Sequence, residues 1–187
     1  MSLRRAILPD ARQIHDLIAT YSGDGTVLPR TLAEICENVR DFTVLEEDGR
    51  IVGCGALHLY GPHLAEVRSI TVLPSEQRKG SGSKLVRALL AEAKRHRVGC
   101  VCLFTRKPEF FSRLGFRMAQ RESLPDKIYK DCCVCPRVDC CDEFAMVRGE
   151  LPDFAMLPLS PQRANAGHVG GPDVAPTARL VKIQVGG

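Results

Sequence analysis

Between residues 65 and 93 the apolar pattern changes period once, and the change falls on one glycine-bearing turn. AEVRSITVL, residues 65–73, alternates as a strand does and stops at Pro74. Beyond the turn, Leu85, Val86, Leu89, Leu90 and Ala93 recur at helical spacing. The connection, EQRKGSGSKLV, carries two glycines, two serines and three cations. A strand that runs through Gly-x-Gly into a helix leaves the N–H groups of the first helical turn unpaired, and glycine lets a ligand approach them closely. The partial positive charge of the helix end adds to the attraction. Such a turn suits phosphate oxygens. A Walker loop needs a glycine where Gln77 stands, and a dinucleotide fingerprint needs glycine or alanine where Leu85 stands, so both are excluded. The plain alternative is a glycine turn that only starts a helix.

The flanking pattern frames this turn. Pro9 and Asp10 open a helical stretch with apolar residues at Ile14, Leu17, Ile18 and Tyr21. TLAE at residues 31–34 fits a capping box, followed by the stripe Leu32, Ile35 and Val39. Residues 42–46 read as a strand, Asp48-Gly49 as a hairpin turn and residues 50–60 as the returning strand. Residues 99–105 form an apolar strand, PEFFSRLGF a short helix closed by Gly115, and residues 143–148 a last strand. This order predicts one mixed α/β domain over residues 1–150, not a doubly wound parallel sheet. Residues 151–187, rich in Pro, Gly and Ala, read as a poorly ordered tail.

Composition narrows the classes. The chain is 44% hydrophobic and 26% charged, an ordinary globular balance. No apolar run nears the roughly 20 residues of a membrane span, and the N-terminus lacks a secretory apolar core. The net charge of +4 is scattered, which argues against nucleic acid or membrane and suits a small anionic molecule. Nine cysteines, an odd number with no export signal, point to a reducing cytoplasm. Cys36, Cys54, Cys100 and Cys102 lie in apolar segments. Cys132, Cys135, Cys140 and Cys141 supply enough thiolates for tetrahedral zinc. A structural zinc site has separated pairs, however, and Cys140 and Cys141 are adjacent, so reduced loop thiols are favoured.

Gln77-Arg78-Lys79-Gly80-Ser81-Gly82 resembles Q/R-x-x-G-x-G/A, the pyrophosphate motif of the GNAT acetyltransferases. It follows ITVLP as that family's fourth strand would, and FFSRLGF resembles the family's late helix and "GF" strand. The resemblance spans residues 3–148. It implies the GNAT acyl-CoA N-acyltransferase fold: a central, mostly antiparallel sheet with a splayed strand pair and helices on both faces. It further implies acetyl-CoA as co-substrate, with pantetheine along the backbone of Ile70, Thr71 and Val72 and the pyrophosphate on amides of Arg78, Lys79, Gly80, Ser81, Gly82 and Ser83. Arg78 and Lys79 would add positive potential. A dimer through the sheet edge is compatible with this fold.

GTVLPRTLAEI, IVGCGALHLYG, AEVRSITVLP, FFSRLGF and LPDKIYKDC together resemble the acetyltransferase domain of N-acetylglutamate synthases. That likeness implies L-glutamate as acceptor, the first step of arginine biosynthesis. It makes Leu28 and Arg30 substrate contacts, Glu66 the general base and Arg137 a carboxylate ligand. The positions where such enzymes carry an acid hold Phe104 and Phe111, leaving water or Thr105. The chain has no room for the kinase-like regulatory domain of longer synthases, so feedback through one is not expected.

The chemistry stands beside the likeness. An amine must lose a proton before it attacks a thioester, and a carboxylate at a cleft wall can take it. Strand periodicity puts Glu66 and Arg68 on one face, together with Ile70 and Val72 unless a bulge intervenes. A backbone N–H near Ile70 would polarise the acetyl carbonyl. Two substrate carboxylates call for arginine forks, with Arg30, Arg68, Arg106 and Arg137 as candidates and Arg30 first. His58 reads as a structural histidine. Two other classes stay open: a GNAT enzyme for an antibiotic, polyamine or protein N-terminus, and a non-catalytic acyl-CoA sensor.

Overall fold

The computed structural model describes residues 1–153 and Ala155, apart from Asp24, Thr26 and Pro136; the remainder of the expected tail lies outside the described residues. Among them, seven strands form one sheet. The strands are β1 (Ser2–Arg5), β2 (Phe42–Glu47), β3 (Arg50–Leu59), β4 (Leu64–Val72), β5 (Cys100–Thr105), β6 (Arg117–Met118) and β7 (Phe144–Gly149), in the order β1-β2-β3-β4-β5-β7-β6. Every pairing is antiparallel except β4 with β5. The expected mixed, mostly antiparallel sheet is present.

Helices cover both faces, as the apolar stripes require. Helix α1 (Ala11–Ser22) buries Ile14, Leu17 and Ile18 with Ile35 of α2 (Leu32–Glu37) against Val44, Cys54 and Ala56. Helix α3 (Ser81–Arg95) buries Val86, Leu89 and Ala93 on the opposite face with Leu57, Ala65, Val67 and Leu103. The capping box forms: Thr31 Oγ1 accepts from Glu34 N (3.2 Å), and Glu34 Oε2 accepts from Thr31 N (2.7 Å). Two short helices follow, α4 (Pro108–Ser112) and α5 (Pro125–Lys130), each with proline in its first turn. No helix among the described residues is long and apolar enough to cross a membrane.

One irregularity shapes the site. The β3–β4 register jumps from Ala56↔Arg68 to Cys54↔Thr71, so Ser69 and Ile70 together oppose Gly55. Ser69 takes a φ of +54°, the left-handed conformation of a bulge. A Cβ on Gly55 would collide with the Ile70 side chain, so only glycine leaves Ile70 its place. The bulge flips the alternation. Ile70 and Val72 pack with Leu89 and Leu85 on the α3 side, while Glu66 and Arg68 stay on the other. The uninterrupted single face over residues 66–72 therefore does not exist.

Candidate active site

The parallel pairing of β4 with β5 covers Leu64↔Cys100, Ala65↔Val101 and Glu66↔Cys102, then stops. Beyond Glu66, β4 stays with β3 and β5 with β7, so the two strands splay. A cleft of about 980 Å³ fills the wedge and runs from the glycine loop to the α1–α2 connection. On this side β4 has no strand partner past Glu66 among the described residues, which leaves backbone groups of residues 69–71 open to a ligand.

The glycine loop is held in shape by its backbone. Arg78 (φ +61°) and Gly80 (φ +84°) are both left-handed, and Gly80 caps α3. Gln77 Nε2 donates to Val72 O (3.2 Å) and to Tyr21 Oη (3.0 Å), and Tyr21 Oη donates to Val72 O (2.6 Å). The loop is thus moored to the end of β4, and the Val72 carbonyl is already engaged. Gln77, Arg78, Gly80, Gly82 and Ser83 line the cleft with Ile70, Thr71 and Val72. The Lys79 side chain pairs with Glu76 (3.0 Å), away from the positive role expected of it, and buried Ser81, expected to act through its amide, sets its hydroxyl against Met1 Sδ (3.9 Å). The Thr71 hydroxyl faces Cys54 (3.0 Å), so Thr71 offers the cleft its backbone. A Cβ on Gly82 would sit 3.4 Å from the Phe110 ring, so this glycine fits closely against α4.

Glu66 lies at the far end of the wedge, 4% exposed, and it is not alone. Lys127 Nζ pairs with Glu66 Oε1 (2.8 Å) and with Asp131 Oδ2 (3.0 Å). The Tyr60 hydroxyl lies 2.9 Å from Glu66 Oε2 and 2.6 Å from Asp131 Oδ2. Four side chains close a ring. Burial works against the Lys127 charge, but Glu66 and Asp131 more than offset it and raise its pKa. Burial also works against the Asp131 charge, yet Lys127 and the Tyr60 hydroxyl hold its pKa below the usual carboxylate range. Desolvation and the two carboxylates push Tyr60 upward, and desolvation and Glu66 do the same to Cys102, so both keep their protons.

Arg68 donates to His58 Nδ1 (3.1 Å), with Asp41 at 3.9 Å and Asp131 at 4.0 Å. Arg30 differs: among the described residues no carboxylate lies within ion-pair distance of it. Desolvation first, and repulsion from Arg68 second, lower its pKa. A half-buried guanidinium in the cleft wall without a partner carboxylate is a site prepared for an anion. Leu28, 37% exposed, lines the cleft beside it.

Arg137 is displaced from its expected place. It does not line the cleft; a Cβ on Gly25 would fall 2.6 Å from its Nη1. Arg106, which itself lines the cleft, donates to Gly25 O and to Asp142 Oδ1 (2.6 Å), so the two arginines brace the α1–α2 connection. The cysteines are free, and among the described residues no group of three or more His, Cys, Asp or Glu is arranged to hold a metal ion. Cys141 Sγ instead accepts from Arg121 Nη2 (3.0 Å).

Tyr60, Lys127 and Asp131 were not singled out from sequence. Lys127 and Asp131 stand at i and i+4 in LPDKIYKD, a spacing that would have placed them on one helical face. Nothing local links either to Glu66, more than sixty positions away.

The model of the Acetyltransferase (GNAT) domain matches residues 38–118, which include β4, its bulge and the glycine loop. An uncharacterized N-acetyltransferase of Chlorobaculum tepidum is 38% identical over 146 residues, 78% of this chain and 94% of the relative. The chain belongs to the GNAT acetyltransferases. This GNAT protein is also 33% identical over 134 residues to the amino-acid acetyltransferase of Mycobacterium tuberculosis, spanning 70% of its own length and 76% of the relative's. A solved N-acetylglutamate synthase from Neisseria gonorrhoeae, complexed with coenzyme A and N-acetyl-glutamate, matches with a TM-score of 0.72 and 26% identity. That match covers 79% of this chain and 34% of the synthase. The GNAT protein is accordingly an acetyl-CoA-dependent N-acetyltransferase, with acetyl-CoA as its co-substrate.

Proposed function

We propose that this enzyme acetylates the α-amine of an amino acid whose side chain is acidic, with L-glutamate the best fit. The observation that carries the reading is Arg30, a cleft-wall guanidinium that forms no ion pair among the described residues; Glu66, Glu34 and Asp131 attract it from farther off, but desolvation and repulsion from Arg68 outweigh them. An anionic acceptor relieves both the desolvation and the repulsion; a polyamine or aminoglycoside would worsen them. Relatives named amino-acid acetyltransferase support an amino acid as the acceptor. Glutamate acetylation would place the enzyme at the entry to arginine biosynthesis, and nine free cysteines suit a cytoplasmic setting.

In this reading Arg30 and Arg68 hold the carboxylates, Leu28 covers the acceptor's aliphatic portion, and amides of residues 78–83 hold the diphosphate of acetyl-CoA. Arg137 acts only by bracing the connection that carries Arg30. Glu66 takes a proton from the ammonium, directly or through water. The freed nitrogen attacks the thioester carbon, a C–N bond forms and the C–S bond breaks. Phe104 and Phe111 have no proton to give the departing sulfur. Thr105 has: its Oγ1 accepts from Lys107 N (3.0 Å), so its hydroxyl hydrogen can pass to the sulfur while Oγ1 regains one from the nitrogen, which sheds its second proton as the amide forms.

Release of the CoA thiol, followed against a panel of amino acids and amines, tests the reading. Glutamate-dependent release, with weaker release for aspartate or glutamine and none for polyamines, is the expected result. Release with polyamines but not glutamate would overturn the acceptor assignment, and acetyl-CoA binding without release under any amine would make the protein a sensor.

A further inference from the structure

The ring around Glu66 is one proton short. Tyr60 Oη carries a single hydrogen and lies within hydrogen-bond distance of two carboxylates, Asp131 at 2.6 Å and Glu66 at 2.9 Å. It can donate to one of them only, and the shorter contact assigns that bond to Asp131. Glu66 Oε2 then faces an oxygen lone pair with no hydrogen between, while Glu66 Oε1 is filled by the Lys127 ammonium at 2.8 Å. Adding one proton to Glu66 Oε2 completes the ring, because the new O–H can donate to Tyr60.

We infer that Tyr60 and Asp131 form a relay that carries the proton taken by Glu66 away from the acceptor amine and out to solvent. This rests on Glu66 acting as the base. The transfer balances at each step: the Glu66 O–H bond breaks as a new O–H bond forms on Tyr60, and the original Tyr60 hydrogen passes to Asp131. One proton enters from the ammonium and one leaves to water. Exposure runs in the right direction, since the Glu66 side chain is 5% exposed and that of Asp131 is 28%. Lys127 touches both carboxylates and so balances the charge whether the proton sits at one end or the other.

Neither Tyr60 nor Asp131 lines the cleft, so both are positioning residues that act through Glu66. The test compares Tyr60→Phe and Asp131→Asn with wild type and Glu66→Gln, with imidazole titrated into each assay. For both relay variants kcat is expected to fall about ten-fold or more, with KM for acetyl-CoA and glutamate within about two-fold, and rising imidazole is expected to restore part of the loss. A kcat that stays unchanged in both variants, or that falls without any response to imidazole, overturns the relay. A structural role would instead raise both KM values and leave the imidazole titration flat. If Tyr60→Phe fails to fold, Asp131→Asn, nearly isosteric, decides alone. Failure of the base assignment gives a different pattern: Glu66→Gln itself would keep full turnover.

Discussion

Glu66→Gln is expected to lower kcat about 10²–10⁴-fold near neutral pH, the range general-base catalysis contributes. In energy this is about 3–5 kcal/mol of transition-state stabilisation. The substitution is chosen because the amide can keep the ring's contacts. Its oxygen can still accept from Lys127 and its N–H can reach Tyr60, so the fold should survive while proton acceptance is lost. The deficit should narrow as pH rises toward the pKa of the acceptor ammonium, because more amine then arrives already deprotonated. KM for acetyl-CoA should not move, since the diphosphate loop is remote from the substitution. Stopped-assay turnover across pH checks this; equal rates for variant and wild type at every pH would remove Glu66 from the mechanism.

Arg30→Ala is expected to raise KM for glutamate about 10–100-fold, the loss of one charge-assisted contact of about 1.5–3 kcal/mol. KM for acetyl-CoA should stay constant. Arg30→Lys should recover little, because a point charge does not replace the planar fork. The variant carries a second signature. Arg30 has no carboxylate partner among the described residues and is desolvated in the free enzyme, so its removal should leave the melting temperature equal or higher. Arg68→Ala, by contrast, strips His58, Asp41 and Asp131 of a shared cation and should lower it. Equal loss of affinity for both substrates in Arg30→Ala would count against a carboxylate clamp.

Most of the fold was legible because local chemistry and tertiary outcome agree. The hairpin at Asp48-Gly49, the capping box at Thr31 and the change of period at Gly80 each appear where residue type requires them. What was not legible depended on distance. Strand β1 is four mostly polar residues, fixed by pairing with β2 and by Arg4, which bonds both Asp10 (2.6 Å) and Glu46 (2.5 Å). The bulge at Ser69 has no signal in Ser-Ile-Thr; its reason lies across the ladder, in the missing Cβ of Gly55.

The site divides along the same line. Its loop and its glutamate lie on one continuous stretch, and the structure brings both to a single cleft. Lys127, Tyr60 and Asp131 reach Glu66 from other elements, so no spacing rule ties them to it. Arg137 is the opposite case: ungapped likeness assigns it a substrate role, whereas its guanidinium lies against Gly25 and not among the residues lining the cleft.

On the proposed reading, the wedge opened by the early end of the β4–β5 ladder admits the thioester to Glu66, and a crystal structure of the enzyme with coenzyme A bound tests that most directly. The account predicts the diphosphate oxygens at about 2.7–3.2 Å from N–H groups within residues 78–83, and the pantetheine arm inside the wedge with its sulfur toward Glu66. Coenzyme A bound with that loop vacant, or with its thiol directed away from Glu66, would contradict it.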